Sequence, residues 1–597
     1  MVALIVSSQA CDDGQRDPES VRIGEGGRAE RPDQFIDAGE ARPSRPDPEG
    51  VEAGPTDVLR LSPQDVIGWN GDQRGRRFAT SATCSACHSN HFAATAMRDS
   101  AGEEIAPFNL WQGTMMANAA RDPLWHAQVS AETKAHPEKQ AEIEAKCMRC
   151  HAPMASENAL DEGEQPTMAQ LYTEGSVDAV LGLDGVACPL CHQIEGSNFG
   201  TMASFSGGYK INRFRRIFGP HEDPAPGPML NHVEYRPSFG EHMTESALCG
   251  TCHTLFTEPL SETGEPVEGV KFPEQTTFLE WKNSAYAGTE YTCQGCHMPT
   301  TDPLTEAPIE TRIARSPPGG DFRIDPREPF GQHFFVGGNT LMPQILINER
   351  ETLRPQASDE AFQATRARAL AYLQSRAIRS TLVEKSVEDG VARFTVKFEN
   401  LAGHKFPTGM PIRRAWVRVK ARNESGDLVF SSGDFNEAGR LINQHGEVLD
   451  IEKVGGDYEP HHDEISRFSE VQIYEAIMHD SRGEQTYGLL RATGFLKDNR
   501  FLPTGYVRSG DEHHYTQSHG VEDESFQPGA DQVTYRFSSE GAERLSVEVE
   551  LFFQSVSARF IRERLQIDTP QVRAFRSMYE RADLTPVPAT QLSFELP

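Results

Sequence analysis

Five times this chain repeats one short pattern: two cysteines separated by two residues, with a histidine directly after the second. The copies are CSACH (Cys84, Cys87, His88), CMRCH (Cys147, Cys150, His151), CPLCH (Cys188, Cys191, His192), CGTCH (Cys249, Cys252, His253) and CQGCH (Cys293, Cys296, His297). They take ten of the eleven cysteines, and Cys11 alone stands apart. With 11 Cys and 20 His in 597 residues, composition gives about 0.007 random copies. Zinc pairs, thioredoxin-like sites and disulfides do not demand a histidine after every second cysteine. C-x-x-C-H is the signature of covalent c-type haem attachment. Two thiols add across the vinyl groups of one haem, and the adjacent histidine supplies a nitrogen to iron. The sequence therefore predicts five covalently attached haem c groups, with His88, His151, His192, His253 and His297 as proximal ligands.

Several consequences follow from that cofactor load. Hydrophobic residues make up only 37% of the chain, and porphyrins would supply the missing apolar mass. Covalent haems would also restrict the unfolded chain, as disulfides do. Haem c is attached on the outer side of a cytoplasmic membrane, so a periplasmic or outer-surface location is expected. A net charge of −30 argues against nucleic acid and anionic membrane surfaces, and favours cationic redox partners. No stretch reaches the ~18 apolar residues of a membrane helix. The start, MVALIVSSQAC, has two readings: a truncated lipoprotein signal with a lipid anchor through Cys11, or an N-terminal scrap without meaning. Residues 12–60 read as a disordered tether, since 12–56 alone hold thirteen Gly or Pro.

The motifs start at intervals of 63, 41, 61 and 44 residues, an alternation that hints at paired haems or an old duplication. Pro and Gly clusters between them predict short motif helices and wrapping loops. Residues 61–355 are expected to form the pentahaem domain, joined by a connecting helix at 356–380. Ser358 suits the cap of that helix, with Asp359 and Glu360 in its first turn. Beyond it the period changes to two. Phe394, Val396 and Phe398, then Val417, Val419 and Ala421, then Leu545, Val547, Val549 and Leu551 alternate with polar residues. The expected fold class is thus multidomain: a loop-rich, mainly α multihaem domain followed by an antiparallel β-sandwich at 381–560, with a partly helical tail at 561–597.

Four segments carry a family resemblance: GVACPLCHQI, EHMTESALCGTCHTLF, FLEWKNSAYAGTEYTCQGCHMP and GQHFFVGGNTLMP. They resemble bacterial multihaem c-type cytochromes, in the broad superfamily of tetrahaem carriers and hydroxylamine-oxidoreductase-like proteins. The likeness continues into NLAGHKFPTGMPIRRAWV and covers roughly residues 80–560. It implies distal iron ligands that are mostly histidines, often just upstream of another motif. His242, seven residues before Cys249, and His232 fit that description, as does His333 between glycines. In LWQGTMMANAARDPLW the place of a family ligand histidine, five residues after Trp111, is held by Met116, with Met115 beside it. Either Met116 ligates or both methionines pack in the core. Tyr286 holds the matching place after Trp281 and reads as packing. His126, His136 and His221 are reserves. His404, in the loop LAGHKFPTG, is expected to cross the domain boundary and ligate a haem of the N-terminal part.

Two functions fit. The first is an electron carrier, in which closely spaced haems conduct between redox partners. The second is an oxidoreductase acting on a small nitrogen or sulfur compound at an open-faced haem. All five motifs keep their histidine, which favours the carrier. The β-region shows no recognisable nucleophile or phosphate loop, and EPHHDE (His461, His462, Asp463) reads as an exposed polar turn.

Overall fold

The computed structural model describes residues 77–597. The expectations for the Cys11 anchor and the tether lie outside the described residues. All described residues belong to one compact unit.

The first half is built from short pieces. Nine of the ten motif cysteines sit on the helices Ser81–His88, Gln140–His151, Cys188–Cys191, Ser246–Gly250 and Cys293–His297, and Cys252 lies two residues past the fourth. The last three run only four or five residues, and Pro189, Gly250 and Gly295 lie within them. Proline is tolerated at a helix start but cannot extend one, and glycine weakens a helix interior. The longer helix Pro123–Ala135 has Pro123 at its start and Asp122 as cap, accepting from Leu124 and Trp125 N–H. Two strand pairs separate the motifs. Arg216–Gly219 runs parallel to Arg236–Phe239, and Leu255–Thr257 runs antiparallel to Phe272–Gln275.

The second half contains two sheets. One orders Glu464–Ile465, Ala530–Ser538, Val391–Asn400 and Ile378–Glu388. The other orders Gln485–Thr486, Ile473–His479, Arg414–Arg422, Leu545–Gln554 and Val587–Leu596; Gly494–Asp498 and Leu428–Ser432 pair alongside. Phe394, Val396 and Phe398 from the first sheet share one core with Val417, Val419, Val549 and Leu551 from the second. Burying each such side chain stabilises by roughly 1.5–3 kcal/mol. The helix Asp359–Arg376 is capped by Ser358, accepting from Ala361 N–H, and buries Phe362, Thr365, Ala369 and Leu373 on one face.

These observations correct the expected fold class. The chain is 30% helix and 22% strand, so no mainly α half precedes an all-β one. Three of the five motif helices run only four or five residues and contribute little helix. The β-region in turn carries the helices Ala558–Arg564 and Pro570–Glu580. A single core unites Leu124, Ala127 and Ala131 with Phe560, Val572, Phe575 and Met578. Pairing is not purely antiparallel either, since Glu464–Ile465 also lies parallel to its neighbour.

Candidate haem centres

Four motif histidines are oriented the same way. Nδ1 of His88 donates to Ile313 O (2.9 Å), that of His151 to Ala119 O (3.1 Å), that of His192 to Phe218 O (2.6 Å) and that of His297 to Val336 O (2.9 Å). With the proton fixed on Nδ1, Nε2 presents its lone pair, the arrangement metal-bound histidines require. Burial pushes the pKa of His88, His192 and His253 down, and those of His151 and His297 down to about 4. All five stay neutral at physiological pH, as ligation demands.

Two further histidines stand opposite motif rings. The His297 and His404 ring centres are 6.4 Å apart with planes within 10°. His192 and His333 are also 6.4 Å apart, at 21°. A metal–imidazole bond of about 2.0 Å, plus about 1.2 Å from nitrogen to ring centre, places two rings on one ion about 6.4 Å apart. Nδ1 of His404 donates to Lys405 O (2.8 Å) and Nδ1 of His333 to Gly331 O (3.0 Å), leaving both Nε2 atoms free. The residues present therefore fit a six-coordinate haem at the third and fifth motifs.

The His404 loop is fixed from both sides. Asn400, at the end of its strand, donates to His404 O (2.8 Å), Phe501 O (3.2 Å) and Leu502 O (3.1 Å). A Cβ on Gly403 would lie 3.3 Å from Trp281 and Tyr286, so Tyr286 packs on this loop. Glu280, fully buried on the helix Thr277–Lys282, accepts from Lys405 N–H (3.2 Å) and Thr408 Oγ1 (2.5 Å). Lys405 Nζ reaches Asp498 (2.6 Å), which also holds Arg500 at 2.7 Å. This buried ion network joins the fifth-motif region to the β-region. Sequence reasoning missed it because its members are scattered over more than two hundred positions.

The other candidates lie elsewhere. His232 is exposed on the helix Pro226–Val233. His242 donates from Nε2 to Ile194 O (2.9 Å) and sits between the rings of Phe199 and Phe218. Met116 is half-buried, while Met115 packs into the shared core. His126 spends both nitrogens, Nε2 on Ala120 O (2.9 Å) and Nδ1 on Tyr172 OH (2.7 Å). Trp125 stacks on His151 at 4.6 Å. The buried Trp125 Nε1 and Arg121 Nη2, near the second motif, have no acceptor in the protein. Carboxylates of a bound haem would satisfy such donors.

The thiols show how the attachment sites adjoin. Cys84 lies against Cys188, Cys150 against Cys252 and Cys249 against Cys293, with Cys191 also close to Cys252. The first site thus adjoins the third, the third the fourth and the fourth the fifth, with the second beside the fourth. Two serines bridge the first of these junctions and that between the fourth and fifth sites. Ser81 and Ser246 each begin a motif helix, and their hydroxyls accept from Cys188 N–H (3.1 Å) and Cys293 N–H (2.9 Å). None of the ten motif cysteines is taken up by a disulfide among the described residues, so each is available for thioether attachment.

The EPHHDE segment is not an exposed turn at its first histidine. His461, Asp523 and Asp531 are the group among the described residues with spacing to hold a metal ion. Their side chains are nearly inaccessible. Nδ1 of His461 accepts from the amides of Gln472 (2.9 Å) and Asn499 (3.0 Å). Both amide orientations are fixed, since their oxygens accept from His462 N–H and Glu475 N–H. Nε2 must then carry the proton and face Asp523 at 3.3 Å. A metal at Nε2 would force the proton onto Nδ1, against two donors. The cluster suits a proton better than a metal.

No protein-family model and no curated protein matches the chain. It is similar to the crystal structure of a penta-heme cytochrome c552 from Thermochromatium tepidum, at a TM-score of 0.48 and 16% sequence identity, covering 87% of this chain and 100% of that one.

Proposed function

We propose that this chain is an exported pentahaem c-type cytochrome that carries electrons between redox partners. The observation that carries this reading is the facing of His404 on His297, and of His333 on His192, at the ring spacing of one six-coordinate ion. Each pair joins a C-x-x-C-H histidine to a histidine far away in sequence. In this reading the ten motif cysteines hold five haems. His333 and His404 complete coordination at the third and fifth, and His232, His242 and Met116 are candidates for the others. Bound haem c supplies one-electron Fe(III)/Fe(II) chemistry, with potentials set by axial ligand and burial.

The remaining work falls to the chain. Backbone carbonyls of Ile313, Ala119, Phe218 and Val336 hold four motif rings in the ligating tautomer. Burial keeps those rings neutral. Trp125 Nε1 and Arg121 Nη2 are donors suited to haem carboxylates. Neighbouring thiols of different motifs keep the attachment sites contiguous, which short-range electron transfer needs. No helix among the described residues is long and apolar enough to cross a membrane. Lipid attachment through Cys11 would be a separate means of tethering.

The test is production in a host that matures c-type cytochromes. A pyridine haemochrome assay should return five haems per chain, and electron paramagnetic resonance should show low-spin bis-imidazole iron. A chain without covalent haem, or with only high-spin iron, defeats the proposal.

A further inference from the structure

The chain is acidic overall, yet one surface reverses that sign. Between Glu195 and Glu222 there is no Asp or Glu, in a protein with 88 of them, while Lys210, Arg213, Arg215 and Arg216 fall there. Arg215 turns inward, its guanidinium 4.3 Å from the centre of the Tyr235 ring. Arg213 and Arg216 are exposed. The parallel strand pair then sets Arg216 directly opposite Arg236, which is also exposed. Like charges in register cost stability unless something anionic compensates them. None of Arg213, Arg216 and Arg236 has a carboxylate partner among the described residues; Glu234 is the acid nearest to Arg236 in sequence. Phe214, 78% exposed, lies under the Arg216 guanidinium, and Phe239, 45% exposed, ends the partner strand. Arginine with exposed aromatic residues is the composition of interface hot spots.

The same strand touches the third motif. Phe218 O accepts from His192 Nδ1 (2.6 Å), and Phe218 N–H donates to His192 O (2.7 Å). We propose that Arg213, Phe214, Arg216, Arg236 and Phe239 form the docking surface for an acidic redox protein that exchanges electrons at the third attachment site. This rests on the electron-carrier reading. Charge complementarity selects the partner, since three unpaired guanidinium groups repel a basic one. The chain's net charge repels an acidic partner only at long range, and physiological salt screens that within about 8 Å. Docking then depends on the local patch. In the exchange one electron leaves the reduced partner and one ferric iron is reduced, with no bond or proton transferred.

The probe is a reduced, acidic plant-type [2Fe–2S] ferredoxin, with reduction of the haem-loaded full chain followed by stopped flow. At about 0.15 M salt, where the net charge is screened and the patch acts locally, the triple variant R213E/R216E/R236E should react at least tenfold more slowly than wild type, and the gap should close at about 1 M salt. R213Q/R216Q/R236Q should fall between. Dithionite, which needs no docking, should reduce all three proteins alike. If dithionite does not reduce wild type, the carrier reading fails. If dithionite works but ferredoxin does not react, or the charge-reversed variant matches wild type, the docking surface is overturned.

Discussion

At the scale of single residues, two histidines carry the assignment. His404 and His333 have backbone-tied Nδ1 atoms and free Nε2 atoms, and their ring centres lie 6.4 Å from those of His297 and His192. Replacing His404 by Ala should convert one haem from low to high spin and leave the His333-dependent haem unchanged; H333A should do the converse. Paramagnetic resonance of the two variants and their double reads this directly, and an unaltered spectrum removes the residue from the ligand set. Asp531 gives a second, independent residue-scale prediction. Burial, with the neighbouring Asp523, pushes its carboxyl up to about 7 against the hydrogen bond from Tyr474. An acid with a raised folded-state pKa contributes stability that is complete below its unfolded value near 4 and is lost as pH rises through about 7. Relative to D531N, the wild type should therefore lose stability between about pH 4 and about 7. Urea midpoints of both proteins at pH 5 and pH 8 check it; parallel pH dependence would count against the raised carboxyl.

At the scale of elements, the His404 loop depends on ions that never reach solvent. Asp498 pairs with both Lys405 and Arg500, and Glu280, which faces Arg500 at 3.8 Å, bonds the loop backbone from the opposite element. Removing one member leaves a buried charge without its partner, which costs about 3–5 kcal/mol. D498A should lose about that much in equilibrium denaturation. A loss under about 1 kcal/mol would mean that water reaches Lys405 and that the loop is held otherwise. Ser81 and Ser246 act at the same scale. Each lies three residues before a motif cysteine, in SATC and SALC, and each joins its motif to another. That signal was present in the sequence, but nothing local distinguishes it from an ordinary helix start.

At the scale of the whole molecule, the two halves share a core. The helix Pro570–Glu580 packs Val572, Phe575 and Met578 against Leu124, Ala127 and Ala131 of the helix Pro123–Ala135. The final strand, Val587–Leu596, pairs with Leu545–Gln554 from Leu545 to Phe553. A chain ending at residue 560 would expose both surfaces at once. It should be recovered insoluble or poorly loaded with haem, as measured by soluble yield and haem per chain. A well-folded, fully loaded truncation would show that the shared core is dispensable.

The sequence by itself determined the motif pattern on which the attachment proposal rests. Ten cysteines and five histidines in C-x-x-C-H spacing carry the proposal of attached haem, because that spacing is local and each site needs only five consecutive residues. It also made the helix after Ser358 and the alternating strand through Phe394, Val396 and Phe398 readable, since caps and periods are local too. Local pattern could not show that the halves share one core, so the mainly α, multidomain reading was overturned by contacts between distant segments. The tertiary structure alone decided which histidine faces which motif, how the sites adjoin, and that His461 is buried with two aspartates. Those are relations between residues tens to hundreds of positions apart, and only the packed chain sets their distances.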